Sequence, residues 1–468
     1  MTISLFNTYT RSLQEVTPLL DNQVKLYACG PTVYNYAHIG NLRTYIFVDI
    51  LRRSLEFAGF TVNHVMNITD VGHLSDDADE GEDKVVRESR RSGKTVWEIA
   101  EYYTNAFFSD IARLNIKTPT TSCKATDHID DMIRLIMKIE ENGFTYSAGG
   151  NLYFDISKFP EYGKLALLSL DDLKTGARIA VDEQKKNPQD FVLWFTNSKF
   201  DRQAMIWESP WGRGYPGWHI ECSAMAMRFL GDEFDIHCGG IDHIPVHHTN
   251  EIAQSQAATG KQPVKCWVHG EFLLFDKEKM SKSAGNFLTL SLLADQGYEP
   301  LDFRYFCLNA HYRTQLKFTF EALHAAKTGR NNLVLRIADI KEECDNTPTR
   351  VFGKKSENYW KEFVAHVCDD LNMPRCLSDL WQMIKETDIP ANEKLALIED
   401  MDNVLGLSLM DSVRKDVLLD EEITALVEER EKARKEKNYQ RADEIRGLFV
   451  QKGIVLEDTA AGVRWRKK

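Results

Sequence analysis

The stretch from residue 24 to residue 68 restricts the fold more than any other part of the chain, because it joins two strand patterns through one helix pattern. The first strand pattern, VKLYAC, ends at Cys29, and a Gly-Pro turn follows it. The helix pattern LRTYIFVDILRRSLEFA repeats apolar residues at helical spacing until Gly59, and FTVNHVMNI then gives the second strand pattern. This order is typical of a doubly wound nucleotide-binding domain, in which ligands bind at the carboxyl ends of the strands.

The rest of the chain completes this domain and adds to it. A helix is predicted near 127–142, and residues 144–215 become strand-like and rich in turn residues, as expected of an inserted module. From about residue 291 the pattern is almost entirely helical. We therefore predict an α/β fold with a Rossmann-like doubly wound domain split by an insertion, followed by an α-helical bundle and a small C-terminal domain. The predicted boundaries are 1–120 and 216–290 for the two halves of the Rossmann-like domain, 121–215 for the connective insertion, 291–410 for the helical domain and 411–468 for the C-terminal region.

Composition argues against a secreted or membrane protein. Hydrophobic residues make up 43% of the chain and charged residues 27%, no apolar run approaches a membrane span, and the amino terminus has no signal-peptide pattern. We therefore expect a cytoplasmic protein, and we expect a monomer. The nine cysteines are spread from Cys29 to Cys376 without the spacing of a disulfide scaffold. A cysteine with a special role is therefore expected to be a metal ligand or a catalyst.

The charge distribution separates the carboxyl terminus from the rest of the chain. The whole chain carries a net charge of −12, which argues against nonspecific nucleic-acid binding. Residues 430–468, however, hold twelve Lys or Arg against six Asp or Glu. This region is predicted either to meet a polyanion or to form a solvated helix with ion pairs at i,i+4 spacing.

Two short motifs on opposite sides of the insertion indicate how a nucleotide is bound: AHIGN (37–41) and KMSKS (279–283). In the first, histidine and glycine stand at a helix start, where free N–H groups and the helix dipole favour phosphate. In the second, two lysines flank small hydroxyl residues after a strand, which suits a loop that closes over a triphosphate. In this order within a βαβ fold, the two motifs resemble the signature pair of the class I aminoacyl-tRNA synthetases.

Further motifs narrow the resemblance to the cysteinyl-tRNA synthetase family over nearly the whole chain. They are CGPTVYNYAHIGN, NITD, GYPGWHIECSAM, HHTNEIAQS, KMSKSAGN, RADEIR and GIVLEDTAAGVRW. The resemblance implies one Zn²⁺ per chain, held by Cys29, Cys222, His247 and Glu251. Because His247 and Glu251 stand four apart in a predicted helix, they share one face and can reach one ion. His248 lies about 100° around that helix from His247, so we interpret it as a structural histidine or a substrate contact.

The same resemblance implies the remaining site residues and a reaction in two steps. Cysteine attacks the α-phosphate of ATP, which Mg²⁺ accompanies, and a terminal ribose hydroxyl of tRNA-Cys then takes the cysteinyl group. Residues 291–410 would contact the tRNA stem and residues 411–468 the anticodon. The implied catalytic residues are His38, Lys279 and Lys282. The implied ATP-binding residues are these three together with Gly40, Asn41 and Asp242, with Asp242 toward the ribose. The implied cysteine pocket consists of Gly30, Thr69 and Trp218, although Trp218 also fits a core aromatic beside a turn.

Zinc would explain how such an enzyme excludes serine. A purely steric pocket distinguishes near-isosteres by only about 10- to 200-fold. Zinc binds thiolate well and deprotonates a coordinated thiol. Ionising serine costs on the order of 10 kcal/mol more than ionising cysteine. No editing domain is therefore expected, and the segment 144–215 is short for one.

Three features depart from the usual family pattern, and two other functions stay open. Asn41 replaces the second histidine of the first motif, Thr249 stands where an acidic residue is common, and residues 76–83 add an acidic segment. One alternative is a ligase that couples cysteine to an amino sugar through the same adenylate; the helical domain and the basic tail argue against it. The other is a catalytically silent zinc- and RNA-binding paralogue. The retained histidine and lysines of the two signature motifs argue against that reading.

Overall fold

The structure is a computed structural model that covers most of the chain. It describes residues 1–71, 88, 93–167, 184–196, 205–275, 288–344, 348–435, 438–451, 454–459 and 462–467. The acidic segment 76–83 and both lysines of the KMSKS motif, Lys279 and Lys282, lie outside the described residues. Their roles stay predictions.

The described strands and helices alternate in the first 275 residues, and helices dominate after that. The strands are β1 Ser4–Asn7, β2 Ser12–Glu15, β3 Gln23–Ala28, β4 Thr61–Ile68, β5 Thr121–Lys124, β6 Thr145–Ala148, β7 Asn151–Phe154, β8 Phe191–Phe195, β9 Tyr215–Pro216, β10 Phe234–Gly240, β11 Val264–Gly270, β12 Leu273–Phe275, β13 Leu316–Phe318, β14 Ile454–Thr459 and β15 Gly462–Lys467. The helices are α1 Ile39–Phe57, α2 Val96–Arg113, α3 Ile129–Glu141, α4 Trp218–Leu230, α5 Thr249–Thr259, α6 Leu290–Asp295, α7 Pro300–Leu308, α8 Phe320–Glu342, α9 Lys354–Cys368, α10 Met373–Lys385, α11 Ala391–Leu405, α12 Leu409–Lys435 and α13 Tyr439–Gln451.

Five of these strands form one parallel sheet in the order β11-β10-β3-β4-β5. The chain leaves the central strand β3 on one side to reach β4, and after the insertion it returns on the other side to form β10. α1 covers one face of this sheet through Leu42, Ile46 and Ile50, which are buried at the apolar spacing that the sequence shows. A second apolar core on the other face includes residues of α3, α4 and α5. The predicted Rossmann-like, doubly wound fold class is confirmed.

The insertion begins later than we predicted. Thr121–Lys124 does not open the inserted module; it pairs in parallel with β4 as an edge strand of the main sheet. This strand has four residues and only Cys123 is buried in it, so its sequence carries too little periodicity to reveal a strand. The antiparallel module consists of β6, β7, β8 and β9, and it therefore starts near Thr145.

A buried ion cluster joins α1 to the helical region. Arg304 of α7 approaches Asp49 of α1 to 2.6 Å, and Arg53 approaches the same carboxylate oxygen to 2.7 Å. Burial opposes ionisation of Asp49, but the two guanidinium groups outweigh it and hold the pKa of this carboxyl below its usual value. Arg304 also donates from Nε to the carbonyl of Leu405 over 2.8 Å. The apolar core on the α1 side continues without a break into α8, α10 and α11.

The end of the chain forms the small C-terminal unit that we predicted. α12 packs against α13, and the antiparallel hairpin β14-β15 follows. A guanidinium nitrogen of Arg441 lies 2.9 Å from a carboxylate oxygen of Glu429 and another lies 2.9 Å from one of Glu444, so this arginine is ion-paired, although neither pair has the predicted i,i+4 spacing. Within the described residues, every helix is too short or too polar to cross a membrane.

His64 of β4 makes one stability prediction. It is 2% exposed, and within the described part of the chain neither ring nitrogen has a hydrogen-bond partner. Burial lowers the pKa of His64 from its ordinary 6.5 to about 3. Between about pH 6.5 and about pH 3, His64 is therefore protonated in the unfolded chain but neutral in the folded chain. The free energy of unfolding decreases as the pH falls below 6.5.

We expect His64→Leu to stabilise the protein, and to do so more in acid. The variant should gain about 1.4 kcal/mol over the parent on going from about pH 7.5 to about pH 5.5. Thermal unfolding of both proteins at the two pH values measures this gain. A difference between their midpoints that does not widen in acid would contradict it.

Candidate active site

The carboxyl ends of four parallel strands open onto a single cavity of about 450 Å³. Cys29 follows β3, Thr69 follows β4, Gly240 ends β10 and Gly270 ends β11, and all four residues line it. This is the edge at which the strand order reverses, where ligands bind in folds of this type. The position of the cavity agrees with the site that the βαβ pattern predicts.

The structure brings nearly all the described candidate residues to this cavity. Glu251 lies just behind its wall, with Oε1 3.2 Å from Nε2 of His247. Lys279 and Lys282 fall outside the described residues. The candidate residues that line the cavity are Cys29, Gly30, His38, Gly40, Asn41, Thr69, Trp218, Cys222, Asp242 and His247.

The four predicted metal ligands meet at one end of the cavity. One donor atom from each of Cys29, Cys222, His247 and Glu251 lies within 4.8 Å of the others, and all four residues are buried. The donors come from the end of β3, from α4, from the turn before α5 and from α5 itself. A single ion at this point would therefore join both halves of the split domain.

The turn that carries His247 differs from the regular α-helix that we predicted. Residues Ile244–His248 form a π-helical turn with Pro245 at its start, and the α-helix begins only at Thr249. The Thr249 hydroxyl donates to the carbonyl of Ile244 over 2.7 Å and supports this wider turn. Thr249, one of the departures from the family pattern, therefore has a structural role here.

His248 lies closer to the metal ligands than an α-helical projection suggests. Its Nε2 is 3.3 Å from Sγ of Cys29, and its Nδ1 is 2.7 Å from His269. A second set of donors, Cys29, His237, His248 and Glu251, also meets within 4.8 Å. The two sets share Cys29 and Glu251, so one ion can use only one of them fully.

The thiols of the first set have the chemistry of a metal site. Burial raises the pKa of the Cys29 thiol to about 11. Hydrogen bonding to Cys29 and burial raise the pKa of Cys222 well above its usual value. Within the described residues Oε1 of Glu251 is buried and makes no hydrogen bond, although Nε2 of His247 lies 3.2 Å away. A divalent cation would favour the thiolate form of both cysteines and pair with the Glu251 carboxylate, so the residues present fit zinc.

The HIGN turn is built as a reciprocal cap at the start of α1. The His38 N–H donates to Oδ1 of Asn41 over 3.3 Å, and the Asn41 N–H donates to Nδ1 of His38 over 3.2 Å. Asn41 thus keeps a role at the position of the missing histidine. Burial lowers the pKa of His38. A Cβ on Gly40 would stand only 2.8 Å from the His38 ring, so any other residue there would displace this ring from its capping position.

The described residues on both sides of the KMSKS motif lie beside this turn. Phe275, just before the undescribed stretch, lines the cavity. Leu288, just after it, accepts the N–H of Ile39 over 2.9 Å, and Thr289 forms a bridge with His38. The described residues nearest to the motif on either side therefore lie next to the HIGN turn.

The predicted cysteine pocket adjoins the metal ligands. Two residues that hydrogen-bond to its members, Asn67 and Glu221, were not among the predicted site residues. The Trp218 ring lies 4.9 Å from the ring of His247. The Gly30 N–H donates to Oδ1 of Asn67 over 2.8 Å, and a Cβ on Gly30 would collide with the Asn67 carbonyl. The Thr69 hydroxyl donates to Glu221 over 2.9 Å. Asn67 and Glu221 lie within the quoted NITD and WHIEC motifs, which was their only sequence signal.

Comparison with known proteins gives consistent matches over the whole chain. A family model described as the tRNA synthetases class I (C) catalytic domain matches residues 15–328, and one described as the cysteinyl-tRNA ligase anticodon binding domain matches residues 416–466. A cysteine-tRNA ligase of Treponema denticola is 52% identical over 491 residues, and one of Borreliella burgdorferi is 47% identical over 481 residues; both alignments cover 100% of each chain. A solved Mycobacterium tuberculosis methionyl-tRNA synthetase in complex with methionyl-adenylate aligns with a TM-score of 0.56 at 16% identity, over 82% of this chain and 88% of that one. This last likeness concerns the fold alone.

Proposed function

The chain belongs to the cysteinyl-tRNA synthetase family of ATP-dependent ligases, and from this membership we propose that one zinc ion at the end of its parallel strands selects the substrate cysteine. The observation that carries the proposal is the meeting of two thiols, an imidazole and a carboxylate at the end of the cavity. We further propose that the chain activates L-cysteine with ATP and transfers it to the 3′-terminal adenosine of tRNA-Cys. A monomeric state and a cytoplasmic location stay predictions.

Cys29, Cys222, His247 and Glu251 would hold the zinc, because thiolate, imidazole and carboxylate are the ligands that zinc binds in proteins. When bound, zinc would act as a Lewis acid that stabilises the thiolate form of the substrate. Serine would need far more free energy to ionise its hydroxyl in the same way. Trp218 and Gly30 would close the pocket around the side chain. A Cβ on Gly30 would stand 1.6 Å from the Asn67 carbonyl oxygen, so only glycine allows the backbone at residue 30 to pass this close to the backbone of Asn67.

His38 would bind ATP as a neutral hydrogen-bond donor. Its Nδ1 accepts the Asn41 N–H, so its proton lies on Nε2. Burial lowers the pKa of His38, which keeps the ring neutral before the nucleotide arrives. Nε2–H would donate to a phosphate oxygen as the charge of pyrophosphate develops, together with Lys279, Lys282 and the Mg²⁺ that accompanies ATP.

Asp242 would hold the ribose of ATP. It lies in the turn after β10 and lines the same cavity as the metal ligands and the HIGN turn. A Cβ on Gly240 would stand 2.2 Å from Oδ1 of Asp242, so glycine leaves room for this carboxylate. A carboxylate at this place is able to accept hydrogen bonds from sugar hydroxyls.

The two alternative functions are not favoured. The anticodon-binding match at 416–466 gives the chain a tRNA-reading region that an amino-sugar ligase would not need. Relatives that align over the full length of both chains carry the name cysteine-tRNA ligase, which argues against a silent paralogue. The same region supports our proposal that residues 411–468 reach the anticodon while 291–410 contact the stem.

Two assays on the purified chain test this function and separate its two steps. ATP-pyrophosphate exchange measures formation of the adenylate, and charging of a tRNA-Cys transcript measures the whole reaction. We expect cysteine to support exchange at least about a thousandfold better than serine. Comparable exchange with serine, or none with cysteine, would refute the proposed selection.

A chain that ends at residue 419 should lose charging while it keeps activation. Charging should fall at least about tenfold, because the contacts to the distal tRNA are gone, and exchange should stay within about twofold of the full chain. The shortened chain keeps the start of α12, whose Leu409 and Val413 belong to the apolar core. Equal losses in the two assays would mean that the terminal region serves the catalytic domain instead.

A further inference from the structure

A chain of hydrogen bonds links the two halves of the split domain directly behind the cysteine pocket. The Gly30 N–H donates to Oδ1 of Asn67 over 2.8 Å, and Nδ2 of Asn67 donates to the Thr69 hydroxyl over 3.0 Å. That hydroxyl donates to Oε2 of Glu221 over 2.9 Å. Asn67, Thr69 and Glu221 are all buried. Neither Asn67 nor Glu221 belongs to the site residues assigned above.

Each bond in this chain fixes the direction of the next. Oδ1 of Asn67 accepts the Gly30 N–H, so its amide N–H₂ faces Thr69. A carboxylate only accepts hydrogen bonds, so the proton of the Thr69 hydroxyl points to Glu221. A hydroxyl oxygen has two acceptor positions, and Asn67 occupies one of them. The other remains as an acceptor whose direction the network sets.

Both main-chain polar groups of Thr69 already make hydrogen bonds within the protein, so the side-chain hydroxyl is the group that can contact a ligand. Its N–H donates to the carbonyl of Pro31 over 3.0 Å, and its carbonyl accepts the N–H of Val33 over 3.2 Å. Thr69 lines the cavity together with Cys29 and Cys222. Gly30 and Glu221 are the chain neighbours of these two cysteines, so the network and the metal ligands share one rigid frame.

The position of the network matches the α-ammonium group of cysteine. In the substrate this group is three covalent bonds from the sulfur, so it must lie close to the metal ligands once the thiol is bound. An ammonium group has three donors and no acceptor. It therefore needs oriented acceptors and negative charge, which the Thr69 oxygen and the Glu221 carboxylate behind it provide.

We propose that Glu221, acting through Thr69, is a positioning residue that orients an acceptor toward the α-ammonium of the substrate cysteine. The proposal rests on the proposed function, because it takes the substrate thiol to bind at the metal site formed by Cys29, Cys222, His247 and Glu251. Glu221 does not touch the substrate; it sets the direction of the hydroxyl that does. Asn67 holds the same hydroxyl from the other side.

The test compares two thiols that differ in the amino group. 3-Mercaptopropionate has the thiol and the carboxylate of cysteine but lacks the ammonium. Its inhibition constant is measured against cysteine in pyrophosphate exchange, with zinc content determined on each protein. The variants are Glu221→Met, which keeps the length of the side chain, Thr69→Val, which keeps its shape, Thr69→Ser, which keeps its hydroxyl, and the double variant Glu221→Met/Thr69→Val.

We expect Glu221→Met to raise the KM for cysteine at least about tenfold and to change the inhibition constant of 3-mercaptopropionate less than about twofold. Thr69→Val should act in the same way, and Thr69→Ser should restore most of the loss. In the Thr69→Val background, Glu221→Met should add less than about twofold, because its partner is already gone. Zinc content should stay at the parent value in all variants.

Two results would overturn the proposal. If 3-mercaptopropionate binding weakens as much as cysteine binding, Glu221 shapes the pocket or the metal site and not the ammonium contact. If the effects of the two substitutions multiply, Glu221 does not act through Thr69. Should Glu221→Met fail to fold, Glu221→Gln makes the same comparison with an isosteric side chain. Failure of the proposed function is a separate outcome, since the parent protein itself would then lack zinc or cysteine-dependent exchange.

Discussion

Cys222→Ala is expected to lose its zinc and to activate cysteine at least about a hundredfold more slowly than the parent. The reason is that Cys222 is one of four donors that meet within 4.8 Å, and no other cysteine belongs to either donor set except Cys29. ATP binding should change little, because the phosphate contacts come from other motifs. Serine activation should also change little, since serine gains nothing from a metal that stabilises thiolate. Metal analysis and pyrophosphate exchange measure the two effects.

Matched variants separate the two possible donor sets. Cys29→Ser should lose the metal with either set, because both include Cys29. Cys123→Ser is the control: Cys123 is also buried, its Sγ donates to the carbonyl of Met66, and it lies outside both sets. It should keep zinc and activity. Zinc retained in Cys222→Ala but lost in His248→Ala would show that the histidine-rich set holds the metal.

Lys282→Ala should lower the rate of pyrophosphate exchange about 10²- to 10³-fold with little change in the KM for cysteine. A charge that acts on the departing pyrophosphate contributes mainly in the transition state, so its loss reduces the rate and not the affinity. The described residues that flank this motif lie beside His38, which supports a joint action on the phosphates.

Lys277→Ala is the control for this substitution, because it removes the same charge from the same stretch but outside the KMSKS motif. Its exchange rate should stay within about threefold of the parent. If Lys282→Ala exchanges pyrophosphate like Lys277→Ala, the lysine has no part in activation.

Strong local periodicity made the central part of the fold predictable. α4 spans Trp218–Leu230, the same residues as the WHIECSAMAMRFL pattern, and β4 differs from its pattern by one residue. The hairpin β1-β2 and the edge strand β5 were missed, because strands of four residues show too few alternations to stand out. The sequence thus predicted those helices and strands that each carry many buried apolar residues.

The candidate site was predictable only where its residues lie in recognised motifs. The approach of His248 to Cys29 depends on a π-helical turn, and a helical projection assumes α geometry, so the sequence placed this histidine too far away. The bond between Thr69 and Glu221 spans 152 positions of the chain. No local pattern encodes such a contact, because it exists only after the two halves of the domain have assembled.

The ion cluster of Asp49, Arg53 and Arg304 means that the boundary near residue 290 is a boundary of sequence pattern but not of folding. A fragment that ended there would keep Asp49 in the middle of α1 and lose Arg304, its closest cation. Asp49 would keep Arg53, but removing one partner from a buried ion cluster still costs up to about 3–5 kcal/mol, a large part of the stability of an ordinary domain. The same fragment would expose the apolar side of α1, whose core continues into the helical region. We therefore expect the nucleotide-binding domain and the helical domain to unfold as one cooperative unit, because α1 is held at Asp49 by Arg304, which lies 255 positions further along the chain.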